Sequence, residues 1–308
     1  MTIATTTVLQ RMMLLTAPLL LAAVSANAQA RLDPADPDDR MRITIRTNCS
    51  LNNGEPVVYW WHGNMYSRVQ GERDRLLFNV QGMNIRQCEH WVDEVRGVCY
   101  RTISREVLFY IDPETGQVAR TWKNPWTGQE VEVLQVANDP PGRSESCARD
   151  EQGNPTVNTS PLLSQGGWVL SGGGAARLFY TNPMGGDFQE YVGGTYHAME
   201  FLTSASPEDD VLDGEAAGLR DRVISWGRVS QWLPWMEMGS RPGNVFFHTA
   251  GLRLDSWDEM PDLMKDEIRA NFPIYQEAPP LDYDRPRETS WTVAKDHIDR
   301  RRARESGE

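Results

Sequence analysis

Metal chemistry has little to stand on in this sequence. Its five histidines (His62, His90, His197, His248 and His297) are scattered, and its four cysteines include no Cys-x-x-Cys pair. The close-set ligands of zinc and iron–sulfur sites are therefore missing. No Gly-x-Ser-x-Gly elbow occurs, which argues against a serine hydrolase. The glycines at 172–174 lack the lysine and following helix of a phosphate loop, and are read as a hairpin tip. Internal repeats are absent. Helical periodicity is absent before Leu254, whereas a parallel α/β architecture needs helices alternating with strands. No metal and no organic cofactor are expected.

Long apolar runs are equally scarce. One spans Met12 to Val24 behind Arg11 and ends at Ala26-Asn27-Ala28, the pattern of a secretory signal peptide. It falls short of the ~20 residues of a membrane span. Cleavage after Ala28, and a periplasmic or secreted protein without membrane contact, are the expectation. The formal charge of −12 is spread without acidic or basic clusters, which disfavours nucleic-acid or anionic-membrane partners. In an oxidising compartment Cys49, Cys88, Cys99 and Cys147 are expected as disulfides. Four cysteines allow three pairings. A hairpin turning near Asp93-Glu94 would set Cys88 opposite Cys99, so that pairing is favoured and leaves Cys49–Cys147. Oligomeric state is open.

What the chain does contain is strand pattern and tryptophan. Residues 100–140 carry the apolar run Val107 to Ile111, which favours a strand. Two similar turn sequences follow, Asp112-Pro113-Glu114-Thr115-Gly116 and Asn124-Pro125-Trp126-Thr127-Gly128. Proline pre-sets φ in such turns and glycine accepts the positive φ that closes them, so residues 100–138 read as an antiparallel meander. Further strand patterns lie at Val57–Trp61, Leu76–Val80, Trp168–Leu170, Ala176–Tyr180, Thr195–Leu202, Val223–Trp235 and Val245–Leu254. Residues 140–167 read as one long loop carrying Cys147, and 204–221 as a connector with at most one short helix. Trp257, Leu263, Met264, Ile268 and Phe272 follow a helical period that Pro273 stops.

The fold expected is all-β: an antiparallel barrel, lipocalin-like, or a closely related sandwich, with one C-terminal helix and a charged tail. After the leader, residues 29–56 are a flexible segment, 57–279 a single domain, and 280–308 a solvated, charged tail with a frayed helix near Trp291.

Several strings together resemble the family catalogued as domain of unknown function 1838. They include Thr121-Trp122-Lys123-Asn124-Pro125-Trp126-Thr127-Gly128, Val136-Ala137-Asn138-Asp139-Pro140 and Trp232-Leu233-Pro234-Trp235-Met236. The resemblance runs from about Val57 to Pro279. It implies the domain's boundaries and transfers no catalytic residue.

Alternate strand residues share a face, so Trp226, Arg228, Ser230 and Trp232 should line one side. An arginine between indoles suits either cation–π binding of a flat ligand or a structural ladder. Trp122 and Trp126 pose the same choice. Tyr196 and Glu200 share one face of their strand, and His197 lies on the other. Whichever face is enclosed supplies a candidate base, since desolvation raises a carboxyl pKa; a solvated face is the alternative. Arg105 and Glu106 occupy opposite faces, which means a polar lumen or ion pairs at a rim. The leading expectation is a binding protein holding an apolar or aromatic small molecule between Trp122, Trp126, Trp226, Arg228 and Trp232. The second is a cofactor-independent lyase or isomerase of aromatic or terpenoid compounds. Its base would be Glu200, His197 or Glu106, with Tyr196 assisting and Arg105 or Arg228 stabilising an oxyanion. The third is a structural protein with a filled core.

Overall fold

The computed structural model describes residues 30–141, 143–180, 196–286 and 288–307; the leader and its cleavage site lie outside them. Twelve strands are present among these residues. They are β1 (Val57–Arg68), β2 (Arg75–Asp93), β3 (Gly97–Ile111), β4 (Thr121–Lys123), β5 (Glu130–Glu132), β6 (Val136–Asn138), β7 (Arg143–Cys147), β8 (Leu163–Gln165), β9 (Trp168–Tyr180), β10 (Tyr196–Pro207), β11 (Val223–Ser230) and β12 (Asn244–Leu254). Helices are α1 (Pro37–Asn48), α2 (Glu208–Leu212), α3 (Asp262–Asn271) and α4 (Ser290–Ser306).

Ten strands form one antiparallel sheet in the order β6-β3-β2-β1-β12-β11-β10-β9-β8, with β7 also on the free edge of β3; β4 and β5 pair separately. Among the described residues no pairing joins the two edges, so the sheet is not a closed barrel. It is nevertheless curled. Strands β3 and β10 are five pairings apart, roughly 24 Å in a flat sheet, yet both contribute side chains to a single cavity of about 430 Å³.

The curl gives the strands two unlike faces. Odd-numbered positions of β2 and β3 (Met83, Ile85, Val107 and Phe109) are buried on the convex face against Met264 and Ile268 of α3. Even-numbered positions (Asn84, Arg86, Glu106, Leu108 and Tyr110) face the concave side. The convex face is dry because α3 presents its apolar stripe there, the helix that the 257–272 periodicity predicted. The lower concave side is filled by Phe78, Tyr110, Trp232, Trp235, Met236 and Phe247.

The two similar turns fold alike. Asp112 Oδ1 accepts from the amides of Glu114 and Thr115, and Asn124 Oδ1 accepts from those of Trp126 and Thr127. Gly116 and Gly128 take φ +70° and +73°. The meander is only partial, because β4 and β5 leave the sheet and β6 returns to pair with β3.

Other expectations fail. The disulfides are Cys49–Cys88 and Cys99–Cys147. The hairpin closes through Glu94-Val95-Arg96, with Asp93 Oδ1 accepting the amides of Val95 and Arg96. That register sets Cys88 opposite Thr102 and Cys99 opposite Trp91. Cys99 instead faces Cys147 across the β3–β7 pairing. The glycines at 172–174 are no hairpin tip; β9 runs through them. Gly172 takes φ +91° where the β9–β10 register shifts, and a Cβ there would meet Leu202 O at 2.1 Å. The turn is at Gly166-Gly167, both with positive φ.

The expected flexible segment contains α1. Asp36 caps it, and Met41 and Ile45 are buried beside the Cys49–Cys88 bridge. The buried Arg46 side chain donates to the carbonyls of Asp210, Val211, Asp213 and Gly218, fastening α1 to the segment after β10. The expected solvated tail contains α4, which buries Ala294 and Ile298.

Candidate functional site

The concave face carries a cavity of about 430 Å³. Its wall is built two residues at a time, because every second position of a strand shares a face. Strand β11 and the residue before it supply Arg222, Ile224, Trp226 and Arg228; β1 supplies Tyr59 and Trp61; β10 supplies Glu200 and Leu202. Thr47 and Asn48 of α1 lie at the end marked by Tyr59, whose hydroxyl donates to Thr47 O, and Leu233-Pro234-Trp235 with Ser290 and Ala294 of α4 complete the lining.

Aromatic rings make the apolar part. Trp226 lies 5.4 Å from Phe247 and 6.5 Å from Trp61 between ring centroids. Trp61 owes its position to Gly82, its neighbour across the β1–β2 pairing. A Cβ at Gly82 would sit 2.3 Å from the indole, so only glycine leaves room for the ring. The Trp61 Nε1–H is buried and has no acceptor among the described residues. Buried donors nearly always find a partner; this one lies in the wall of a cavity.

The polar part centres on Glu106. Its carboxyl is held above the ordinary carboxylate range, first by burial and next by the charge of Glu200. Arg86, Arg228 and a hydrogen bond from Asn84 pull the other way without offsetting it. Asn138 Nδ2 donates to Glu106 Oε1 at 3.4 Å, while Asn138 Oδ1 accepts from the Ser290 amide at 2.8 Å. One asparagine thus links the carboxyl to the first turn of α4. Glu200 accepts from Arg228 Nη1 at 3.1 Å. A carboxyl poised to carry a proton, beside guanidinium groups and indoles, can donate to or accept from a bound molecule.

Of the residues singled out by sequence, Glu106, Glu200, Trp226 and Arg228 line this cavity. Arg105 does not. It points to the convex face, where its Nε donates to Asp139 Oδ1 at 2.8 Å and its Nη1 to the carbonyls of Ile274 and Glu277. His197 is exposed, facing away from the cavity. The Tyr196 side chain lies outside the described residues.

Trp122, Trp126 and Trp232 do not line the cavity either. They pack on one another and on Phe78 and Trp235, with Trp126–Trp232 centroids 5.0 Å apart. Trp232 is turned away because β11 ends at Ser230, and its Nε1 donates to Arg241 O at 3.0 Å. The strand alternation does not extend past that end.

Sequence reasoning missed Trp61, Asn84, Arg86 and Arg222. In β2 the alternation Gly82, Asn84, Arg86 against Met83, Ile85 ordinarily marks a solvent face; here the polar face looks into the cavity. Arg222 precedes the first strand residue of β11 and falls between the connector at 204–221 and the strand pattern that begins at Val223. Among the described residues no group of His, Cys, Asp or Glu could hold a metal ion. Residues 54–298 match the model of the family DUF1838, described as a protein of unknown function. No curated protein matches the chain.

Proposed function

The chain belongs to DUF1838, and since that description assigns no chemistry, we propose from the cavity itself an exported protein that binds one apolar or aromatic small molecule. The observation that carries the reading is the Trp61 indole N–H, buried without an acceptor in the wall of the cavity. An unmet buried donor costs about 1–3 kcal/mol, which a bound acceptor would recover. The volume suits one small ligand, and the walls of Trp61, Trp226 and Trp235 offer flat apolar surface. Export is supported by the two disulfides. No helix among the described residues is long and apolar enough to cross a membrane.

Titrating aromatic and terpenoid compounds while following tryptophan emission tests the reading, since three indoles line the cavity. Saturable quenching by members of the panel is expected, together with a small molecule co-purifying in native mass spectrometry. A flat response to every compound, with no co-purifying mass, would sink it.

A second reading is favoured by Glu106. A carboxyl raised by burial beside Arg86 and Arg228 fits a base in a cofactor-independent lyase or isomerase. Such an enzyme should wash deuterium from D2O into its bound compound at the carbon Glu106 deprotonates, and Glu106→Gln should abolish the exchange. Exchange at an equal rate in the variant would remove Glu106 from that role.

A further inference from the structure

Resting on the reading of the cavity as a small-molecule site, we infer that its α1 end binds the carboxylate of an otherwise apolar aromatic or alicyclic acid, with Arg222 and Arg86 as counter-ions. Arg222 is 9% exposed. Its described partners are hydroxyls: Nη2 donates to Ser204 Oγ at 2.7 Å and Nη1 to Ser206 Oγ at 3.5 Å. A guanidinium carries five N–H donors, so much of its capacity is left facing the cavity it lines. Arg86 lines the same end, stacked 5.2 Å from the Tyr59 ring centroid, with Nε donating to Asn84 Oδ1 at 2.7 Å. Neither arginine has an ion-pair partner among the described residues. Buried charges are normally paired, and the missing partner is an anion.

The surroundings sharpen the deficit. Burial disfavours the Arg222 charge, and although Tyr59 favours it, Arg86 and Arg253 both repel it. Three carbonyls at the C-terminal end of α1, which would otherwise supply negative potential, are already engaged. Arg253 Nη1 takes those of Arg46 and Cys49, and the Tyr59 hydroxyl takes that of Thr47. Glu106 is the nearby carboxyl, but burial and Glu200 favour its neutral form.

Strand geometry gives the ligand its shape. Successive same-face positions are about 6.6 Å apart along a strand, and β11 presents Ile224 and then Trp226 after Arg222. A carboxylate at Arg222 therefore places an apolar body of roughly 7–13 Å against Ile224, Trp61 and Trp226.

The test uses the full mature chain and two probes of matched shape, 2-naphthoate and the neutral 2-naphthamide, in tryptophan-quenching titrations. The acid should bind at least about tenfold more tightly than the amide, because the amide leaves the guanidinium unpaired. Arg222→Gln should bring the acid down to the amide's affinity and leave the amide unchanged. Arg86→Gln should act in the same direction, and being half-buried it keeps the test available if the Arg222 variant does not fold. Equal affinity for the two probes overturns the inference while the aromatic-binding reading stands; binding of neither overturns the inference and leaves that reading to the wider panel. A preference for the acid that survives both substitutions overturns the assignment to these arginines. Displacement of naphthoate by an equal concentration of inorganic phosphate overturns the carboxylate class.

Discussion

Arg105 and Glu106 are neighbours on β3 that point to opposite faces of one sheet, and the two faces treat their charges differently. On the convex face the Arg105 guanidinium meets Asp139 and two carbonyls, and Asp139 is completed by the Tyr283 hydroxyl at 2.7 Å. Both charges have a fixed partner, and the segment after α3, with Ile274, Glu277 and Tyr283, covers them. On the concave face Glu106 has, among the described residues, hydrogen bonds only from the neutral amides of Asn138 and Asn84 and a like charge in Glu200, beside the cavity. A like contrast divides the tryptophans within the concave side. Trp122, Trp126 and Trp232 are packed ring against ring, whereas Trp61 keeps an unmatched N–H in a cavity wall. Satisfaction marks the regions that hold the fold together; its absence marks the region left for something else.

The comparison breaks most violently at Asp139. Asp139→Ala strands the buried Arg105 charge beneath the segment after α3 and releases Tyr283, so a loss of about 3–5 kcal/mol is expected. Urea denaturation measures it. A loss below about 1 kcal/mol, the level of an exposed pair, would mean the convex knot does not fasten the sheet.

Gly82→Ala comes next. The new methyl would lie 2.3 Å from the Trp61 ring, forcing the indole off its seat at a cost of about 1–3 kcal/mol. The ring can move only into the cavity. A stability loss should therefore accompany weakened ligand quenching, and a stable variant with unchanged quenching would show that Gly82 does not set the wall.

Much of the fold was written locally. The twin turns at 112–116 and 124–128 announce themselves because aspartate or asparagine, proline and glycine each fill a slot with its own backbone demand. The α3 period survives because its apolar stripe meets the apolar positions of the convex face. Longer-range features were less visible. Positive-φ glycine serves a hairpin tip and a strand bulge alike, so Gly172 could not declare which it was. The pairing of Cys99 with Cys147 depends on β7 returning to the edge of β3, and no local pattern encodes that. The aromatic and charged members Trp226, Arg228, Glu200 and Glu106 could be placed by alternation, because each lies inside a regular strand. Arg222 and Arg86 could not be assigned to the cavity, because an arginine on a polar strand face reads the same whether water or a cavity lies beyond it.

The mildest and most diagnostic comparison is Glu106→Gln, whose effect should have the opposite sign to Asp139→Ala. Removing a carboxylate that burial and Glu200 disfavour relieves a cost and leaves the amide able to meet Asn84 and Asn138. The pH dependence fixes the argument. A carboxyl whose pKa is raised on folding holds its proton more tightly in the folded state, so its stabilising contribution is complete below the unfolded pKa and is lost as pH rises through the folded one. Wild type and variant should therefore match below the ordinary glutamate value of 4.5. Above it the variant should become the more stable, with the gap widening until Glu106 has ionised in the folded protein. Chemical denaturation of both proteins across that range measures the gap. A wild type that gains on the variant as pH rises would mean the Glu106 carboxylate is stabilised, and the concave face would then be as well paired as the convex one.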